Sequence, residues 1–282
     1  MAGRVLAIAG SDSGGGAGIQ ADIKTLTALG CYAATAVTAL TVQDTRAVYA
    51  IHPVPPDILR LQIERALEDP GVDAVKTGML GSAEAVELVA EIFRRPENAR
   101  PLVVDPVMAA TSGTALLAPD ALDVLKRRLI PLAAVLTPNV PEAELLINRR
   151  IRDRITMIAA ARRLLQLGAK AIVLKGGHLR GRVVMDLFGT LDGVVAFESP
   201  RIDTRHTHGT VCTLASAIAA GLAQGMGLAA AIDRARRYVQ AAIADAPGIG
   251  AGHGPLNHAV TVDQSLIDRR PLFESAEEEG ET

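Results

Sequence analysis

The chain is poor in aromatic residues and in thiols, lacks a long apolar run, and carries almost no net charge. Aromatic side chains make up 2% of its 282 residues, although 49% are hydrophobic. Its core must therefore be built from Ala, Leu, Val and Ile, a composition that suits helices laid on a buried parallel sheet. Only two cysteines occur, Cys31 and Cys212. A secreted disulfide scaffold would carry more of them, closely spaced, so reduced thiols in a cytoplasmic protein are expected. The nearest approach to a membrane span, residues 214–232, contains Ser, Gln and three glycines. It reads as two helices around a glycine break. The N-terminal run VLAIAG is too short for a signal-peptide core, and Asp12 follows it closely. A formal net charge of −2 gives no basis for bulk attraction to nucleic acid or to an anionic membrane.

What is present is an alternation. Short β-branched and apolar runs predict strands at residues 5–9, 32–40, 74–76, 102–104, 134–136 and 172–174. Helical periodicity predicts helices at 19–29, 57–67 and 121–129, with two more capped by Ser82 and by Thr156. Residues 183–188 and 194–197 read as a hairpin turning at Asp192-Gly193. Cys212 opens a further helix. This order predicts one α/β domain over residues 1–266, with a largely parallel central sheet flanked by helices on both faces. The acidic residues 267–282 read as a disordered tail.

Polar residues gather just after the predicted strands, at the carboxyl edge where open parallel sheets bind ligands. AGSDSGGGAG, residues 9–18, has neither the lysine of a nucleotide P-loop nor G-x-G-x-x-G spacing. Five glycines within nine residues favour close approach of the backbone to a ligand over a plain turn. Asp105 and Glu142 are the best candidates for a Mg²⁺ site, which needs one or two carboxylates plus water and phosphate oxygens. A turn acid and a helix N-terminal acid explain them equally well. Lys175 in LKGGH could reach a phosphate or be an ordinary strand-end lysine. His178 reads as a loop histidine. His206, His208, His253 and His258 lack the spacing of a zinc site. Cys212 at a helix start would have a lowered thiol pKa, unless it is simply buried and inert.

Taken in order, AGSDSGGGAGIQAD, ALTVQDT, KTGML, VVDPVM, TPNVPEAE, LKGGH, THGTVCTLASAIAA and GHGPL resemble the hydroxymethylpyrimidine/phosphomethylpyrimidine kinases of thiamin synthesis. Those enzymes belong to the ribokinase-like superfamily. The resemblance runs from about Arg4 to His258, and single pieces such as DPVM are shared with pyridoxal kinases. It implies an ATP- and Mg²⁺-dependent kinase, expected as a homodimer acting on small molecules. The substrates would be an aminopyrimidine alcohol and its monophosphate. Gln43 and Asp22 would hydrogen-bond the aminopyrimidine beside Gly10 and Met79. Asp105 and Glu142 would organise Mg²⁺, while Asn139, Lys175 and Thr210 face the nucleotide phosphates. Cys212 would be the general base, and the amides of Gly209, Thr210 and Val211 would form an anion hole.

One position departs from the resemblance. The family pattern G-T-G-C reads here Gly209-Thr210-Val211-Cys212. If the third position needs φ > 0, a β-branched residue there is a genuine outlier. If it is right-handed helical, the isopropyl group could still crowd a phosphate. The departure leaves room for a pyrimidine-binding protein with impaired kinase activity. A pyridoxal-type vitamin kinase is the other alternative.

Overall fold

The computed structural model describes residues 2–263. The acidic tail expected at 267–282 lies outside the described residues.

The elements follow the alternation in the sequence. In chain order they are β1 (Arg4–Asp12), α1 (Gly18–Ala28), β2 (Tyr32–Gln43), β3 (Val48–Pro53), α2 (Pro56–Glu68), β4 (Ala74–Thr77), α3 (Ala83–Arg94) and β5 (Leu102–Val104). Then come α4 (Ala121–Val124), β6 (Val135–Leu136), α5 (Val140–Ile147), α6 (Arg154–Leu165), β7 (Ala171–Leu174), β8 (Val183–Thr190), β9 (Gly193–Pro200), α7 (Thr210–Ala223) and α8 (Leu228–Ala244). Ser82 caps α3 as expected, accepting from the Ala85 N–H. The cap of α6 is Asp153 rather than Thr156. Thr156 sits three residues further on and completes a capping box, its hydroxyl bonded back to the Asp153 N–H. The helix expected at 121–129 forms, but with a π-turn over Leu125–Leu129.

All nine strands lie in one sheet of order β3-β2-β1-β4-β5-β6-β7-β8-β9. The strands from β2 to β7 pair in parallel, and β3, β8 and β9 add antiparallel edges. Side chains alternate across it. Leu6, Ile8, Leu102, Val104, Leu136 and Ile172 face the layer of α2, α3, α5 and α6. Val5, Ala74, Val103, Val135 and Val173 face α7 and α8. Ala-rich α7 packs closely on that face, since small side chains let helix and sheet approach. Strand order reverses between β1 and β4, the kind of switch point at which open α/β sheets leave a crevice.

Candidate active site

A cavity of about 760 Å³ opens at that carboxyl edge. Its walls include Gly10, Gln43, Met79, Asn139, Glu142, Lys175 and the run from Gly209 to Cys212. The fold thus brings together most residues singled out in the sequence, from segments as distant as β1 and α7.

The glycine-rich loop after β1 wraps one carboxylate. Asp12 Oδ1 accepts from the Gly14 N–H at 2.8 Å, and Oδ2 accepts from those of Gly16 and Ala17 at 3.0 and 2.8 Å. The His208 ring stands 3.1 Å from the same Oδ2 and 3.3 Å from the Gln43 amide nitrogen. Burial acts to raise the Asp12 pKa, but the His208 and backbone hydrogen bonds outweigh it and bring it down to about 2. The glycines therefore serve close contacts within the protein, and not only a ligand as their number suggests. A Cβ on Gly18 would strike the Gly10 carbonyl, and one on Gly16 would strike the His208 ring. Neither Asp12 nor His208 stands out in the sequence as a site residue. Their position in the motifs AGSDSGGGAG and THGTVC is the only signal.

The start of α7 forms the cavity wall opposite. Gly209 precedes it with φ +84°, a conformation natural to glycine, and offers no side-chain cap. The N–H groups of a first helical turn have no intrahelical acceptor and can serve an anion, although here the Thr210 N–H donates to the Thr207 carbonyl at 3.2 Å. The Thr210 hydroxyl donates to the Thr207 carbonyl at 2.7 Å, which ties the turn down. Val211 is helical; among the described residues Asn148 alone combines a side chain with positive φ. The strained alternative for Val211 therefore does not arise. Its half-buried isopropyl group lines the cavity.

Cys212 is almost fully buried and lines the same wall. The lowering expected from the helix start is overturned. Burial pushes the thiol up to about 12, against the opposing pull of Lys76. Loss of water around a would-be thiolate is a larger effect here than the helix terminus.

Two further carboxylates stand at the ends of neighbouring segments. Asp105 follows β5, and its Oδ1 accepts from Lys175 Nζ at 3.2 Å and from the Thr137 hydroxyl at 3.2 Å. Its Oδ2 is buried with no hydrogen-bond partner. Asn139 caps α5, accepting from the Glu142 N–H at 2.9 Å, while Glu142 Oε2 accepts from the Asn139 N–H at 2.8 Å. Glu142 is thus a helix-start acid as well as a cavity residue. Burial raises its pKa to about 7, opposed by Lys175. Asp105 itself does not line the cavity, whereas its partner Lys175 and Glu142 do; an unpartnered carboxylate oxygen behind them fits a hard cation completed by water or phosphate. Among the described residues no group of three His, Cys, Asp or Glu side chains could hold a metal by itself.

Asp22 corrects the sequence reading. It has no exposed surface and does not line the cavity. Both its oxygens accept from Lys76 Nζ, at 2.7 and 2.8 Å, and Oδ1 also accepts from the Ser216 hydroxyl. A carboxylate so occupied cannot contact a substrate ring.

A glycine-led helix start, a thiol and a lysine–carboxylate pair around one cavity define a small-molecule phosphotransferase with a ribokinase-like fold. The comparisons narrow that class. The model of the phosphomethylpyrimidine kinase family matches residues 12–257. The hydroxymethylpyrimidine/phosphomethylpyrimidine kinase of Rhizobium meliloti is 49% identical over 90% of this chain and 96% of its own. The thiamine biosynthesis bifunctional protein of Geobacter sulfurreducens is 51% identical over 93% of this chain, which spans 53% of that longer protein. Among solved structures, an ADP complex of Bacillus subtilis pyridoxal kinase superposes with a TM-score of 0.85 at 35% identity, covering 92% of this chain and 98% of that one. The chain belongs to the phosphomethylpyrimidine kinase family. No helix among the described residues is long and apolar enough to cross a membrane.

Proposed function

We propose that this chain transfers the γ-phosphoryl group of ATP to 4-amino-5-hydroxymethyl-2-methylpyrimidine, and then a second group to the monophosphate, in thiamin biosynthesis. The observation that carries this reading is the meeting of Gln43, Cys212 and Lys175 around one cavity, in a chain about half identical to kinases of that name. The Gln43 amide offers a donor and an acceptor, the pair needed by a ring nitrogen and its amino group. Gly10 and Met79 flank it. With the ring held there, the hydroxymethyl oxygen faces the start of α7. In its thiolate form Cys212 takes the hydroxyl proton as the oxygen attacks phosphorus, and the amides of Gly209 and Val211 hold the transferring group. Lys175 and Asn139 orient the nucleotide phosphates. Asp105 and Glu142 would hold Mg²⁺, directly or through water, to neutralise phosphate charge. The ADP bound by the Bacillus subtilis relative supports the nucleotide assignment.

This reading includes a cytoplasmic homodimer, with neither nucleic acid nor membrane as partner. Leu40, Val42 and Tyr49 on the β2–β3 edge are all exposed apolar residues and suit a protein partner. Gel filtration with light scattering tests the dimer. A pyridoxal-type activity is the second reading, favoured by the superposition on pyridoxal kinase. Turnover with a panel of the two pyrimidines and pyridoxal decides between them. The proposal expects the pyrimidines to be preferred by at least tenfold in kcat/KM.

A further inference from the structure

A buried ion pair beneath Cys212 plays no part in the chemistry above. Lys76 projects from β4 and Asp22 from α1, and neither has any exposed surface. The Ser216 hydroxyl donates to Asp22 Oδ1 at 2.7 Å. Ser216 stands four residues after Cys212 in α7, so the two share one helix face, a turn apart. The pair is thereby tied to the helix that carries the thiol. A buried ion pair is weak evidence of a stabilising role, because desolvation offsets much of its attraction. Its neighbours suggest another role. Of the charged groups acting on Cys212, Lys76 acts most strongly and favours the thiolate, Asp22 opposes it, and Asp105 beyond β5 opposes it less. Of the other titratable and charged groups around α7, the His258 ring lies 3.0 Å from the Thr213 hydroxyl beside Cys212, Lys24 of α1 donates to the Gly15 carbonyl, and Arg234 of α8 donates to Gln224 near the far end of α7. Asp12 at the end of β1 is held by His208, Arg236 of α8 pairs with Asp186, and the Tyr238 hydroxyl donates to the His258 carbonyl.

We propose that Lys76 and Asp22 are positioning residues that set the ionisation of Cys212 in opposite directions, the Lys76 ammonium holding the thiolate and the Asp22 carboxylate tempering that charge. One proton leaves the sulfur for water, and one returns to it from the alcohol during turnover; no other bond on the sulfur changes. The pair lets a thiol in a dry site reach its ionised form without leaving Lys76 as an unpaired buried cation in the resting protein. The consequence for turnover rests on the reading of Cys212 as the base. The ionisation itself does not.

Alkylation of the intact protein by iodoacetamide at pH 8.5, resolved to Cys212 by peptide mass spectrometry, tests this. The rate follows the thiolate fraction, tempered by the weaker nucleophilicity of less basic thiolates, so one pKa unit reads as roughly a threefold change. Lys76→Met is expected to slow the reaction at least threefold, and Asp22→Asn to speed it at least threefold. Asp22→Asn retains an oxygen for both Ser216 and Lys76, so it serves even if Lys76→Met does not fold. Rates that move in the same direction in both variants, or a rate unchanged in Asp22→Asn, would overturn the proposal. Alkylation that moves as expected while kcat of Asp22→Asn stays at the parent value would uphold it and remove Cys212 from the base role instead.

Discussion

Gly209 and Gly16 meet backbone to backbone: at φ +84°, a Cβ on Gly209 would collide with the Gly16 carbonyl oxygen. The start of α7 and the loop that wraps Asp12 are therefore seated on each other. The Gly209→Ala variant must move one of them or adopt a strained backbone. It is expected to lose about 1–3 kcal/mol of stability, read from urea unfolding. Because the first-turn amides shift with it, kcat should fall by at least a hundredfold.

Val211 occupies an ordinary helical position, so its departure from G-T-G-C carries no backbone strain. Val211→Gly should relieve nothing and should cost the helix up to about 1 kcal/mol. We expect kcat to change by less than threefold. A gain of tenfold or more would mean that the isopropyl group crowds the phosphoryl group.

His258 is buried, its Nε2 3.0 Å from the Thr213 hydroxyl. Burial first, and Lys24 second, bring its pKa down to about 4 from an ordinary 6.5. A depressed folded-state pKa gives stability that is present above the unfolded value and lost as pH falls toward the folded one. Glu142, whose pKa burial raises to about 7, acts in the opposite sense over the same range, so the His258 contribution is read as the difference between the parent and His258→Gln, which should shrink as pH falls from 6.5 to 4.5. The loss should be on the order of 1–2 kcal/mol by pH 5. A parent-minus-variant difference that stays constant from pH 6.5 to 4.5 would exclude this role for His258.

Much of this was legible in the sequence, for reasons that differ by element. The parallel strands are nearly continuous apolar runs because both faces are covered, as in 102–104 and β5. The hairpin β8–β9 is legible from Asp192-Gly193, although its turn is Leu191-Asp192 and Gly193 already pairs with Thr190. Two elements were not legible. β3 is an edge strand with mostly exposed side chains, so it has little hydrophobic pattern to read. α5 is short and begins within the polar run TPNVPEAE. At the site, its place after a predicted strand put Lys175 on the sheet's carboxyl edge, while Gln43 and Cys212 came into view only through the resemblance carried by the ordered motifs. Partnership was invisible. Nothing in the chain order shows that Asp22 meets Lys76, or that Asp12 meets His208, because each pair joins segments far apart in sequence. The direction of the Cys212 pKa also depends on depth of burial, which a helix-start motif does not specify.

Removing the thiol separates binding from turnover. Cys212→Ala deletes the proton acceptor but leaves Gln43, Gly10 and Met79 in place. We expect kcat to fall by roughly 10²–10⁴, the range for a general base. The pyrimidine Kd, measured by calorimetry, should change by less than threefold. Turnover within threefold of the parent would exclude Cys212 as the base.

The most direct test of the central claim is a turnover assay on the purified chain with the pyrimidine alcohol, ATP and Mg²⁺, followed by phosphorus NMR or mass spectrometry. The account predicts that the monophosphate forms first and the diphosphate follows, each with stoichiometric ADP. Binding of the pyrimidine and ATP without either product would contradict it.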